Sequence, residues 1–174
     1  MGVDVSRVLL GTILLEPNRW GAVDPGRRAT IRLAEWLDRV ADAGFDGIEL
    51  WEPHLVEADE VNVRDVLHHP LGVDVFNSYV SFDDPDDHGR EQAAAWVRRS
   101  GARGVKWNTG TDRDAAALDG YAARAARMSE QVGEAGLICE CHDGTAADDP
   151  AVAARILASA GPPDRIQALV HTHE

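Results

Sequence analysis

Glu140 and His142 stand two residues apart in GLICECHDGT (136–145), at the end of an apolar run of strand length. Residues at i and i+2 of a strand share a face, so this spacing predicts a carboxylate and a neutral imidazole converging while Cys139 and Cys141 point the other way. Such a donor pair suits a divalent cation of the Mn, Co, Mg or Zn kind. A second reading stands beside it: Glu140 is a buried acid satisfied by a lysine or arginine, and His142 lies in the following loop. Asp143-Gly144-Thr145 is a turn signal and puts the pair at a strand end. The C-terminal HTHE repeats the spacing with His171 and His173. Adjacent strands lie about 4.8 Å apart, so both pairs are within reach of a common ion; solvent-exposed terminal histidines are the alternative.

A third cluster lies in GFDGIELWEPHL (44–55), where Glu49 falls inside a strand and His54 follows it, with Pro53 fixing the turn. An unpaired buried carboxylate is costly, so Glu49 needs a partner. Lys106 on a later strand is the candidate, in a structural ion pair or in a substrate site. Trp51, Trp107, Tyr79 and Trp20 near strand ends either wall a pocket or pack under loops. No G-x-S-x-G elbow, Cys/His protease pattern or C-x-x-C is present, so no motif speaks for covalent catalysis.

The elements that must position these residues alternate along the chain. Strands are expected at 7–15, 45–51, 72–80, 103–108, 137–141 and 165–171. Helices are expected at 26–44, 57–69, 86–101, 112–136 and 148–161, with Gly44 and Gly101 as C-terminal stops and Pro150 in a first turn. No hairpin signal separates the strands, which argues for a parallel sheet covered by helices. Strand centres recur about every 32 residues, and eight such units would need about 250 residues, the usual size of a (β/α)₈ barrel. The chain has 174 residues. The expectation is therefore a single domain over 1–174 of parallel (β/α) TIM-barrel type, truncated or abbreviated after about six strands. A doubly wound nucleotide-binding sheet is disfavoured, because the turn after the first strand carries neither G-x-G-x-x-G nor a P-loop. Chemically able residues instead recur just past the strands: Glu16, Glu49, Glu52, His54, Asn77, Ser78, Tyr79, Lys106, Asn108, Glu140, His142, His171 and His173.

Composition narrows the partners. Thirty acidic against 17 basic residues give a net charge of −13, a surface that repels phosphate backbones, so no nucleic-acid partner is expected. No apolar run has the roughly 18 residues needed to span a bilayer, and the N-terminus lacks a signal-peptide pattern. A cytoplasmic protein follows, with Cys139 and Cys141 as core-lining thiols too close in sequence for an unstrained disulfide.

GFDGIEL on the second strand, SGARGVKWNTG on the fourth and EAGLICECHDGT on the fifth resemble the xylose isomerase-like TIM-barrel superfamily of sugar isomerases, epimerases and endonuclease IV-type enzymes. The resemblance covers nearly the whole chain and matches the family's first six strands. It implies that Glu140 is a metal ligand and an acid/base group together. His171 and His173 stand where the family has a sixth-strand acid, and the ligands of the seventh and eighth strands would lie beyond residue 174. It further implies a metal-dependent isomerase or epimerase that moves a proton through an enediolate on a small carbohydrate-like substrate. Glu140, Lys106 and His54 would be its catalytic residues. Glu49, Trp51, Asn108 and His142 would bind substrate, and Glu140, His171 and His173 would hold the divalent metal. The alternative is a non-catalytic relative that binds a small molecule or partner; an endonuclease is disfavoured by the charge. Self-association, or a missing C-terminal portion, is expected to cover the sheet edges that six strands leave unpaired.

Overall fold

The computed structural model describes residues 7–19, 26 and 28–170. Six parallel strands alternate with helices in an α/β fold, as the spacing of apolar runs predicts. The chain divides into two compact units, Met1–Asn77 and Ser78–Glu174, each with three strands.

In the first unit, β1 (Leu9–Gly11), β2 (Gly47–Trp51) and β3 (Val73–Asn77) pair in parallel, with Gly11 opposite Glu49 and Trp51 opposite Asn77. A register irregularity between Ile48 and Glu49 leaves one extra residue on β3: Ile48 pairs with Val73 and Glu49 with Val75, with Asp74 between them. Helices α1 (Ala34–Asp42), α2 (Pro53–Val56) and α3 (Glu60–Leu67) bury Leu37, Val40, Leu55, Val63 and Val66 together with Ile48, Leu50 and Phe76 of the strands.

Two elements here are shorter than the apolar pattern predicts, and each has a local cause. The strand expected over 7–15 ends at Gly11, and Thr12–Leu15 form a 3₁₀ turn. Thr12 Oγ1 accepts the Trp51 N–H at 2.9 Å, so a side chain takes the place of the next ladder carbonyl and the backbone is free to turn. The helix expected over 26–44 starts only at Ala34. The Thr30 N–H and hydroxyl are both drawn to the Glu16 carboxylate and the Ala29 N–H to Glu57, which holds this stretch out of helical geometry. The short α2, where only a proline turn was expected, carries Pro53 in its first turn.

In the second unit, β4 (Gly104–Trp107), β5 (Gly136–Cys141) and β6 (Ile166–Val170) pair in parallel, with Lys106 opposite Ile138 and Glu140 opposite Leu169. Helices α4 (His88–Ser100), α5 (Ala115–Gln131) and α6 (Pro150–Ala160) supply Ala94, Val97, Leu118, Ala125, Met128 and Ile156 to a core that includes Val105, Leu137 and Cys139. Asp114 and Asp149 cap α5 and α6 through hydrogen bonds to Ala117 N and to Ala151 and Val152 N.

The loop after β3 is strapped onto this unit. Buried Arg90 donates to Asp87 and to the Ser81 and Asp86 carbonyls, Arg124 Nε donates to the Phe82 carbonyl, and Phe82 stacks on Trp107 with centroids 4.3 Å apart. Tyr121 Oη donates to Asp83 at 2.6 Å, and burial with the adjacent carboxylate pushes the phenol up to about 12. Asp83 in turn lies against Gly110, where a Cβ would sit 1.8 Å from Oδ1. Gly110→Ala should therefore destabilise the protein by about 1–3 kcal/mol, since Asp83 cannot withdraw without giving up Tyr121. Urea unfolding would show a lower midpoint at unchanged slope, and Asp83→Ala should remove much of the added cost.

Candidate active site

In the first unit the polar residues past β1 and β2 form a closed network. Glu16, fully buried, accepts from Asn18 N (3.0 Å), Thr30 N (2.8 Å) and Thr30 Oγ1 (2.5 Å), and its Oε2 lies 3.4 Å from His54 Nε2. His54 Nδ1 is 3.0 Å from Thr12 Oγ1. The Glu16 carboxylate can only accept, so the imidazole proton sits on Nε2, and Nδ1 accepts the Thr12 hydroxyl proton while Thr12 Oγ1 takes the Trp51 N–H. Trp51, also buried, meets the imidazole edge-on at 5.1 Å. His54 is thus enclosed and engaged on both nitrogens, tying α2 to Thr12 and Glu16 past β1.

Burial pushes His54 below its ordinary value of 6.5, against the partial pull of Glu16. Burial also pushes Glu16 upward, but the hydrogen bonds from Thr30, Asn18 and His54 outweigh it and hold the carboxyl below 4.5. Both folded-state values are depressed, so the unfolded chain binds the extra proton first as pH falls. Stability should be full above pH 6.5, decline as pH falls below that value through His54, and decline further below 4.5 through Glu16. Thermal melts from pH 8 to 4 would show this, and His54→Gln should flatten the upper part of the slope.

Glu49 lies on β2 and accepts from Asn77 Nδ2 at 3.0 Å. The carboxylate requires the amide nitrogen on its side, which leaves Asn77 Oδ1 buried without a partner among the described residues.

In the second unit, Lys106 Nζ donates to Glu140 Oε1 at 3.2 Å, the two side chains being 10% and 13% exposed. Lys106 is opposite Ile138, and Glu140 lies two residues further along the same face of β5, a diagonal that a lysine side chain spans. The sequence expectation of a buried acid satisfied by a lysine is therefore met at Glu140. Asn108, half-buried, follows directly on β4.

His142 departs from the expected shared face. β5 ends at Cys141, and His142 N–H donates back to the Glu140 carbonyl at 3.0 Å, so the strand alternation has stopped where His142 begins. Its side chain is exposed and lines a cavity of about 540 Å³ with Cys141, Asp148, Ala153, Leu157 and Val170. Cys141 and Val170 are register partners, one residue along from the Glu140–Leu169 pair and so on the opposite face of the strands.

Of the expected metal set, only Glu140 lies among the described residues. No three His, Cys, Asp or Glu side chains there come together to hold an ion. His171, His173 and Trp20 lie outside the described residues. Glu140 is meanwhile bonded to an ammonium group. Of the aromatic residues near strand ends, Trp107 packs under the Phe82 loop and Trp51 against His54, whereas Tyr79 is exposed.

No protein-family model and no curated protein matches the chain. Among solved structures, it is similar to apo 3-keto-D-glucoside 4-epimerase YcjR from E. coli, with a TM-score of 0.62 and 14% sequence identity over 93% of this chain. The likeness is one of fold. The chain spans 66% of that protein's length. Among the described residues, no helix is long and apolar enough to cross a membrane.

Glu16 is the residue whose importance the motifs understate. Its only sequence signal is its place just past β1, the same kind of place that Glu140 holds on β5.

Proposed function

We propose that this protein is a sugar isomerase or epimerase that moves a proton between adjacent carbons of a small hydroxy-carbonyl compound. The observation that carries the reading is the Lys106–Glu140 pair, nearly buried at the C-terminal ends of adjacent parallel strands, where (β/α) barrels place their chemistry. Lys106 would hydrogen-bond the substrate carbonyl oxygen and stabilise the negative charge that develops there. The low exposure of the pair strengthens that interaction. Glu140, freed from Lys106 as the substrate oxygen replaces it, would take the proton from the carbon next to the carbonyl and return it to the neighbouring position. Asn108, half-buried just past β4, would orient a hydroxyl. The fold shared with a sugar epimerase supports this substrate class.

The test is hydrogen exchange in D₂O against a panel of ketoses, aldoses and keto-glycosides, with and without Mn²⁺, followed by NMR. Deuterium is expected at the carbon next to the carbonyl, and Glu140→Gln should slow its entry by about 10²–10⁴-fold. A wild-type protein that exchanges no proton from any member of the panel sinks the reading.

A further inference from the structure

Of the 17 lysine and arginine residues in the chain, Lys106 alone is lysine. Elsewhere arginine supplies the cation, in the ion pairs of Arg7 with Asp74, Arg113 with Asp148, Arg127 with Asp87 and Arg155 with Asp119. At the one place where a cationic side chain meets a strand-end carboxylate on β4 and β5, it is lysine, 8% exposed. The two differ in a single chemical respect that bears on reactivity: a guanidinium does not give up its proton in proteins, whereas an ammonium does and then becomes a nucleophile.

We propose that Lys106 captures the substrate carbonyl covalently, as an imine with a ketone or aldehyde of the hydroxy-carbonyl class; this rests on the Lys106–Glu140 pair being the reacting pair. Glu140, 3.2 Å away, accepts one proton from the ammonium. The free amine adds to the carbonyl carbon, forming a C–N bond as the C=O π pair moves to oxygen, and that oxygen takes the proton back from Glu140. Glu140 then removes a second proton from nitrogen and delivers it to the carbinolamine hydroxyl. The C–O bond breaks, one water leaves, and a protonated C=N bond remains. No oxidant, reductant or further reactant is needed. The iminium draws electrons from the adjacent carbon more strongly than a hydrogen-bonded carbonyl does, so proton removal by Glu140 follows from the same geometry.

Having one lysine makes the test direct. Wild-type protein is incubated with dihydroxyacetone and cyanoborohydride, and the adduct is located by peptide mass mapping, with the α-amino group of the expressed protein as internal reference. Adduct at Lys106 should form at least about tenfold faster than at the α-amino group, and Glu140→Gln should slow the former without changing the latter. Labelling at Lys106 no faster than at the α-amino group overturns the proposal. Lys106→Arg separates the two readings. If it still exchanges substrate protons in D₂O, lysine supplies only charge; the imine is then wrong and the acid–base reading stands. If trapping at Lys106 succeeds while neither wild type nor Glu140→Gln exchanges a proton, the imine stands and the isomerase reading fails.

Discussion

Lys106→Met should cost about 3–5 kcal/mol of stability, and combining it with Glu140→Leu should restore most of that loss. The pair is 10% and 13% exposed, so each charge has given up most of its water. Removing the ammonium takes away the counter-charge 3.2 Å from a carboxylate that has little solvent left to replace it. The methionine fills the lysine stem but offers no donor in place of the ammonium. Replacing both residues by apolar groups removes the desolvation problem altogether, on the face of β5 that also carries Ile138. Urea midpoints for the wild type, both single variants and the double variant give the coupling energy, expected at about 2–4 kcal/mol. Single variants that each lose under about 1 kcal/mol would mean a pair behaving as a solvent-exposed one. Deuterium exchange into substrate should be absent from all three variants, including the one whose stability returns, which separates the role of the pair in folding from its role in chemistry.

The order of the strands and longer helices was legible because the strands are short apolar or alternating runs and these helices carry a 3.6-residue apolar period, which the four-residue α2 is too short to show. Glycine stops at Gly44 and Gly101 adopt the left-handed conformation that their positions imply, with φ of 87° and 68°. Where the reading failed, a side chain competed with the backbone. Thr12 ends β1 early by accepting Trp51 N, and Glu16 keeps Thr30 out of α1. Neither contact has a local signature, since the partners are separated by 39 and 14 residues. Glu140 was legible as a strand-end acid, and Lys106 as a buried strand lysine. That they meet each other follows from the β4–β5 register, which spacing alone does not fix. His142 was misplaced by one step of alternation: the i, i+2 rule holds only while the strand lasts, and β5 ends at Cys141.

Glu16→Gln is expected to be among the most damaging isosteric changes in the first unit, costing about 3 kcal/mol or more. The carboxylate is an acceptor on both oxygens, and every group facing it is a donor: Asn18 N and Thr30 Oγ1 on one oxygen, Thr30 N and His54 Nε2 on the other. A glutamine has one acceptor oxygen. Its NH₂ would point donors at donors on the other side, whichever way the amide is flipped. The loss spreads because Glu16 ties three stretches of chain together: the turn at residue 18, the stretch ahead of α1 at residue 30, and α2 through His54. Hydrogen exchange should accelerate at the amides of Asn18 and Thr30, which donate to Glu16, and at Trp51, which donates to Thr12. Amides of α5 in the second unit should change little. His54 would keep Thr12 but lose its anion, so its remaining affinity for a proton should fall further and the acid-induced loss of stability that begins near pH 6.5 should persist in the variant. A variant with wild-type midpoint and unchanged protection at residue 30 would mean that Glu16 is held by packing rather than by its hydrogen bonds.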